Sequence, residues 1–279
     1  MKKTPLIIFC ITSLFMACKK KGCSDAYANN YDSNIEARND FGCTYTKSYI
    51  PDDNFEYYLE MHNMGDGILN NDSVLTKAIN EVDSLNIMWQ EISNISGIEQ
   101  FVNLRYLIID NAAGNQIASI DLSNNTLLES FSAQGNPLTS VNFSSNNALK
   151  DIVISNTNIS SIDLSNNLLL ESIACVGTQI NSIDLSKNPL LNWLSCGHSQ
   201  ILELDLSNNS SIEFLSCSDS PLEHIDLRNG NNNTIIQIIA DNNPNLSCIS
   251  VDDISWCSSN WLGWYYQFDS QVSFSHNCQ

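Results

Sequence analysis

The chain has 279 residues, with 12 Lys and Arg against 31 Asp and Glu, a formal net charge of −19. A surface this acidic repels phosphate backbones, which excludes nucleic acid as a partner. With 43% apolar residues the chain can bury a core, either in one large domain or along an elongated repeat array.

Lys2 and Lys3 precede an apolar run from Leu6 to Ala17 that is too short to span a bilayer, which predicts a secretion signal over residues 1–17. The run ends in Leu14-Phe15-Met16-Ala17-Cys18. This resembles a bacterial lipobox, in which a small residue precedes the cysteine that becomes the lipidated N-terminus; Phe15 departs from the usual leucine. The resemblance implies acyl chains, palmitate among them, on Cys18, a tether over residues 18–21, and membrane association through that anchor alone. An ordinary cleaved signal is the alternative. Lys19 stands where an aspartate would favour the inner membrane. The expectation is therefore the outer membrane of a Gram-negative bacterium. Whether the chain faces outward stays open, because no acidic run directly follows Cys18.

Residues 22–47 open with GCSDAYANNYDSNIEARNDFGCTY. The segment resembles a short cysteine-bounded module of secreted Bacteroidetes proteins. It is too small to build a core, so it needs a staple, and a Cys23–Cys43 disulfide supplies one in an exported chain. Asp25, Asp32, Glu36 and Asp40 are weak calcium candidates, since their spacing is not that of an EF-hand. A solvated acidic spacer is the plainer reading.

Residues 48–81 begin SYIPDDNFEYYLE. Pro51 with Asp52 and Asp53 is a helix start, and Phe55, Tyr58 and Leu59 recur at helical spacing. A short helix here would cover the exposed apolar end of a repeat array.

That array is the strongest signal. An aliphatic residue followed two positions later by another apolar residue starts at Ile120, Val141, Ile162, Ile183, Leu204 and Ile225, always 21 residues apart. Aligned units begin at Leu128, Leu149, Leu170, Leu191 and Ile212, and positions 1, 4, 6, 11, 14 and 16 of every unit are apolar. Each unit reads as one coil with a short parallel strand, positions 4 and 6 pointing in and positions 3, 5 and 7 out. Position 9 holds Asn136, Thr157, Thr178, Ser199 and Ser220; position 19 holds Asn146, Asn167, Asn188, Asn209 and Gly230. Such columns can satisfy backbone groups that a turning coil would otherwise bury unpaired. Looser coils precede the regular ones, with Leu85, Ile87, Ile92, Ile95, Ile98, Leu104 and Leu107; Ala112-Ala113-Gly114 is inserted between.

The pattern L-x-x-L-x-C/A-x-x-x-x-L-x-x-I-D-L-S-x-N resembles the leucine-rich repeats of Bacteroidetes surface lipoproteins, which are internalin-like. The resemblance implies an α/β repeat protein: a leucine-rich-repeat solenoid over residues 82–246, mostly short parallel strands with little helix. A helical N-terminal cap over 48–81 and a C-terminal cap over 247–279 would close it. The tail is similar to the family's C-terminal cap, in which Cys248 and Cys278 match the two usual cysteines; this implies a Cys248–Cys278 disulfide and leaves Cys257 extra.

Cys175, Cys196 and Cys217 share position 6, one coil apart. A thiolate metal site with His198 is conceivable, but position 6 is an inward slot where cysteine acts as a small hydrophobe, and coils stacked about 4.8 Å apart suit tetrahedral ligation poorly. His62, His198, His224 and His276 lie in no nucleophile or metalloprotease motif, and no phosphate-binding glycine loop occurs. No cofactor and no enzymatic activity are expected. Asp121, Asp163, Asp184, Asp205 and Asp226 form a row beside inward positions, read as a solvated face with cation binding as the alternative. Asp72-Ser73-Val74 and Asp83-Ser84-Leu85 resemble Bacteroidetes O-glycosylation sites.

The outward strand positions are the expected ligand face. Tyr106, Gln134, Asp151, Trp193, Ser195, Phe214 and Ser216 are its candidates, with Trp193 and Phe214 one coil apart in a setting of small polar residues. The expected function is recognition or adhesion at the cell envelope by a monomer, with a protein or glycan as partner. The alternative is an accessory lipoprotein whose solenoid is a spacer.

Overall fold

A computed structural model describes residues 23–26, 28–33, 42–111 and 114–278. The chain divides into two compact units, Met1–Thr46 and Lys47–Gln279. In the first, a disulfide joins Cys23 to Cys43 and the Cys23 backbone bridges that of Tyr31. The Asn30 amide donates to the Gly42 carbonyl at 2.7 Å, and Asn30 accepts from the Thr44 amide at 3.0 Å. The Tyr45 hydroxyl donates to Asp25 at 2.5 Å. Polar cross-links and one covalent bond thus do what an apolar core does elsewhere. Cys18, Glu36 and Asp40 lie outside the described residues.

The second unit opens with β1 (Lys47–Tyr49), α1 (Asp53–Met61), β2 (Ser73–Leu75) and α2 (Thr76–Asn80); β1 and β2 pair antiparallel. Asp52 caps α1, its carboxylate accepting the amides of Asn54 and Phe55 at 3.1 Å each. Phe55 and Leu59, on one helix face, are fully buried, and the Phe55 ring stacks on Phe101. Glu56 and Glu60, one turn apart, accept the amides of Asn71 and Asp72 and of Asp66 and Gly67 respectively, and so shape the loop after the helix.

The repeats then supply β3 (Ser84–Asn86), β4 (Tyr106–Ile108), β5 (Ser130–Ser132), β6 (Asp151–Val153), β7 (Ser172–Ala174), β8 (Trp193–Ser195), β9 (Glu203–Asp205) and β10 (Phe214–Ser216). Next come β11 (His224–Asp226), β12 (Gln237–Ala240), β13 (Cys248–Ser250), α3 (Ile254–Asn260), β14 (Tyr266–Phe268) and β15 (Ser273–Ser275). Nine of these strands form one sheet in the order β3-β4-β5-β6-β7-β8-β10-β12-β14, every pair parallel. The fold is therefore a parallel-strand solenoid with little helix. In β4 to β8 and β10 the middle residue is buried and its two neighbours are half-buried or exposed, as period-two geometry requires. Leu128, Phe131, Ala133, Leu138 and Phe143, at positions 1, 4, 6, 11 and 16 of one unit, are all buried, as are their counterparts in the next four.

Polar columns hold the turns. At position 9 the Thr157 and Thr178 hydroxyls donate to the carbonyls of Ile154 and Cys175, three residues back, at 2.8 Å. Asn115, Asn136 and Asn243 do more, bridging their own coil to the preceding one. At position 19 each buried asparagine amide reaches back: Asn167 donates to the carbonyls of Asn146 at 2.9 Å and Phe143 at 3.2 Å, and Asn188 and Asn209 repeat the pattern. The last rung corrects the sequence alignment. Asn229, not Gly230, occupies it and donates to the Asn209 carbonyl, because this coil has one residue fewer between Leu227 and the asparagine than the preceding coil has between Leu206 and Asn209.

A second parallel sheet, β9-β11-β13-β15, appears on another side of the coil only from Glu203 onward. Both sheets run on past Leu246 into the C-terminal segment, where a disulfide joins Cys248 to Cys278. Among the described residues no helix is long and apolar enough to cross a membrane.

Candidate functional site

The parallel registers stack the outward residues into columns. Position 3 runs Tyr106, Ser130, Asp151, Ser172, Trp193, Phe214 and Gln237. Position 5 runs Ile108, Ser132, Val153, Ala174, Ser195 and Ser216. Trp193 and Phe214 come together, with ring centroids 4.7 Å apart; Trp193 is 42% exposed and Phe214 half-buried. Ser195 and Ser216 pair beside them in the same strands. Tyr106 stands exposed in the same column, but four strands from Trp193, roughly 19 Å at ordinary strand spacing. Gln134 is also exposed and distant from the aromatic pair, and Asp151 lies two strands from Trp193, so the candidates make one close cluster, Trp193, Ser195, Phe214 and Ser216, and three outliers.

Small neighbours keep the pair accessible. Gly197 follows Ser195 by two residues, and a Cβ there would lie 2.9 Å from the Ser218 carbonyl, so a larger residue would require the backbone to shift. Beside the strand edge, Glu171, Asn192 and Glu213 line an open depression with Leu190 and Ser211. Farther along the column, burial and the neighbouring Glu171 push the Asp151 carboxyl above its ordinary value, although Lys150 pulls it down. Glu129, by contrast, is neutralised by Lys150 at 2.8 Å and Arg105 at 2.5 Å, and both bonds hold its carboxyl low.

The cysteine column is core. Cys175, Cys196, Cys217 and also Cys257 are free and buried. Burial pushes the Cys175 and Cys217 thiols up to about 12 and Cys257 to about 11, so all three are neutral at physiological pH. His198 lies outward, 3.5 Å from Asp219, and does not join the stack. The remaining histidines occupy separate elements: His62 stacks on Tyr58, His224 meets Ser250 and His276 meets the Val251 carbonyl.

The carboxylate row has a turn-forming role that periodicity alone did not show. Asp121, Asp163, Asp184 and Asp205 each accept the amide two residues on, from Ser123, Ser165, Ser186 and Ser207, at 2.9 Å. Asp226 does the same with Arg228 and pairs with its guanidinium. Asp53, Glu56 and Asp72 also bring carboxylate oxygens within 4.8 Å of one another, with Glu56 committed to two loop amides. Asp25 is bonded to Tyr45, and Glu36 and Asp40 fall outside the described residues. Ser73 is half-buried with its hydroxyl on Asn71, whereas Ser84 is exposed.

Sequence reasoning passed over position 8. Gly135, Asn156, Gly177, His198 and Asp219 all adopt positive φ there. The mixture of Gly, Asn, His and Asp at a 21-residue interval was the available signal. Trp89 is left-handed as well, at φ 68°, and exposed, an unusual conformation for a bulky side chain.

Comparison with known proteins bears on the fold. No protein-family model and no curated protein matches the sequence. Among solved structures, internalin C2 from Listeria monocytogenes superposes with a TM-score of 0.58 at 21% identity, over 81% of this chain and 95% of that one. Internalin F from the same organism gives 0.59 at 18% identity, over 81% and 71%. The functional domain of InlJ, described as including a cysteine ladder, gives 0.42 at 19% identity; the chain spans 83% of its own length and 62% of that one. The chain thus shares its fold with the internalin-like leucine-rich-repeat solenoids.

Proposed function

We propose that this chain is an exported recognition module of the cell envelope, lipid-anchored through Cys18, which binds a protein partner on the strand face of its solenoid around Trp193 and Phe214. The observation that carries the reading is the aromatic pair itself. Two large rings meet at 4.7 Å with the small residues Ser172, Ala174, Ser195 and Ser216 as their neighbours on the strand face, and Trp193 keeps 42% of its surface in solvent. Leu194, between the two outward residues of β8, does the main packing work inside, so the stability of the coil gives little reason for a tryptophan outside. Large aromatics among small neighbours are the usual anchors of protein interfaces. The internalin-like fold supports the reading as a scaffold for recognition, and the two disulfides suit an exported chain.

The test is capture of partners from envelope and culture extracts by the full chain, compared with Trp193→Ala/Phe214→Ala. The reading requires a partner lost with the double variant. A partner held equally by both proteins, or a glycan captured in its place, removes it.

A further inference from the structure

We infer that the partner is basic and presents arginine, its guanidinium stacking on Trp193 and Phe214 while Glu171 and Glu213 pair with it and its neighbours. This rests on the proposed strand-face reading and names the chemistry that face would take. From Asp151 onward, the stretches that build the face are 151–156, 171–177, 192–198, 213–219, 236–242 and 264–270. They hold Asp151, Glu171, Glu213, Asp219, Asp241 and Asp269; Lys150, which precedes Asp151 and is bonded to Glu129, is the cation bordering them, and from Glu171 onward the stretches carry no Lys or Arg. The N-terminal part of the same face is different, since Glu129 there is flanked and neutralised by Arg105 and Lys150. Charge is therefore balanced at one end of the strand face and uncompensated at the end that carries the aromatic pair.

Several of those carboxylates are partly used. Asp241 accepts the Ser218 hydroxyl and Asp269 accepts two backbone amides. Glu171 and Glu213 are less engaged: among the described residues neither forms a salt bridge, although Lys150, bonded to Glu129, also feels Glu171; both are exposed, and they sit one coil to either side of Asn192, next to Trp193. Two coils separate them, about 9.6 Å of backbone, which is too far for one cation to be held by both. The spacing suits separate cationic groups on an extended chain. Asp151, whose charge is already opposed by Glu171, would gain from the same neutralisation.

The alternatives fit less well. Phosphate-bearing partners and anionic membranes meet only negative charge here. A neutral glycan could stack on the rings but would leave the carboxylates without a role. Arginine uses both features, because its planar guanidinium stacks on aromatic faces and pairs bidentately with carboxylates.

The experiment uses the full chain and a labelled Arg-Gly-Ser repeat peptide, with its lysine and citrulline counterparts, read by fluorescence anisotropy at low and moderate salt. Binding of the arginine peptide should exceed that of the citrulline peptide by at least about tenfold and weaken with salt. Glu171→Gln/Glu213→Gln should reduce it roughly tenfold, and Trp193→Ala/Phe214→Ala should remove the preference for arginine over lysine. Asp163→Asn/Asp184→Asn changes the net charge equally on another side of the coil and should leave binding within about twofold. Equal loss in that control, equal binding of citrulline, or no binding of the arginine peptide overturns the inference. A partner captured from extracts that depends on Trp193 and Phe214 but not on Glu171 and Glu213 also overturns it, while leaving the strand-face reading intact.

Discussion

Trp193 and Phe214 stand opposite one another on β8 and β10, in parallel register, with ring planes tilted by 32°. Their contact is lateral, on the outside of the sheet, while Leu194 and Leu215 fill the inside of the same two strands. Replacing both rings by alanine should therefore cost about 1–2 kcal/mol, the worth of an exposed aromatic pair with one half-buried member. Leu194→Ala, which opens a cavity in a close-packed slot, should cost about 2–5 kcal/mol. Urea unfolding of the two variants checks the order. A double variant less stable than Leu194→Ala would mean that the rings are structural.

Much of this arrangement was legible because each coil repeats a small set of inward apolar slots, and 21-residue periodicity marks those slots whatever the outward residues are. The second sheet was not legible. Ser182-Ile183-Asp184 and Glu203-Leu204-Asp205 occupy equivalent positions, yet only the latter forms a strand, with Leu204 buried where Ile183 is half-buried. The difference comes from pairing with β11, itself backed by β13 and β15, and no local signal carries that. The aromatic pair was visible from spacing. The uneven charge along the same face emerges only when the registers are stacked and the Arg105–Glu129–Lys150 pairings are seen.

The thiols of Cys175, Cys196, Cys217 and Cys257 should resist alkylation in the native chain at pH 8. Burial keeps them neutral and encloses them. Mass spectrometry should find these four labelled only after unfolding, with the cysteines of the two disulfides labelled only after reduction. Native labelling of Cys196, or zinc retained stoichiometrically with it, would contradict the packed column.

The proposed lipid anchor has its own test. Cys18→Ser should move the protein from the membrane fraction to a soluble one, because the acyl chains would be its hold on the bilayer. Continued sedimentation of the variant with membranes removes the lipoprotein reading.

Asp52 joins α1 to the first coil. Besides capping α1 it accepts the amides of Ser93 and Asn94 and the Ser93 hydroxyl, at 2.9, 3.0 and 3.1 Å. Burial pushes its carboxyl up, but the hydrogen bonds from Ser93, Asn94 and Phe55 outweigh this and hold it below the ordinary aspartate value. A depressed folded value means that the stabilisation is present above the unfolded value and is lost as pH falls through the folded one. Asp52→Ala should cost about 1–2 kcal/mol near neutrality, in the range of a lost helix cap. Denaturant midpoints taken from pH 7 down to pH 3 should show the gap between wild type and variant closing. A gap that widens toward acid would reverse the assignment.

The asparagine column gives the sharpest contrast. Asn167 is fully buried, and its amide donates to the carbonyls of Asn146 and Phe143 in the preceding coil. Asn167→Ala removes both donors and should cost about 1–3 kcal/mol for the acceptors left unpaired. Asn167→Asp keeps the shape but aims an acid at two carbonyl oxygens. Ionised, it is a buried charge facing like partial charges and should cost about 3–5 kcal/mol; protonated, it can donate to one of the two carbonyls. Its folded pKa is therefore raised above the unfolded value, so the penalty grows as pH rises from the unfolded toward the folded value and shrinks toward acid. Urea unfolding at pH 7 and pH 5 should show the aspartate variant falling less far below wild type at pH 5, while the gap for the alanine variant stays the same. If the aspartate variant is as stable as wild type at pH 7, the amide is not what ties one coil to the next.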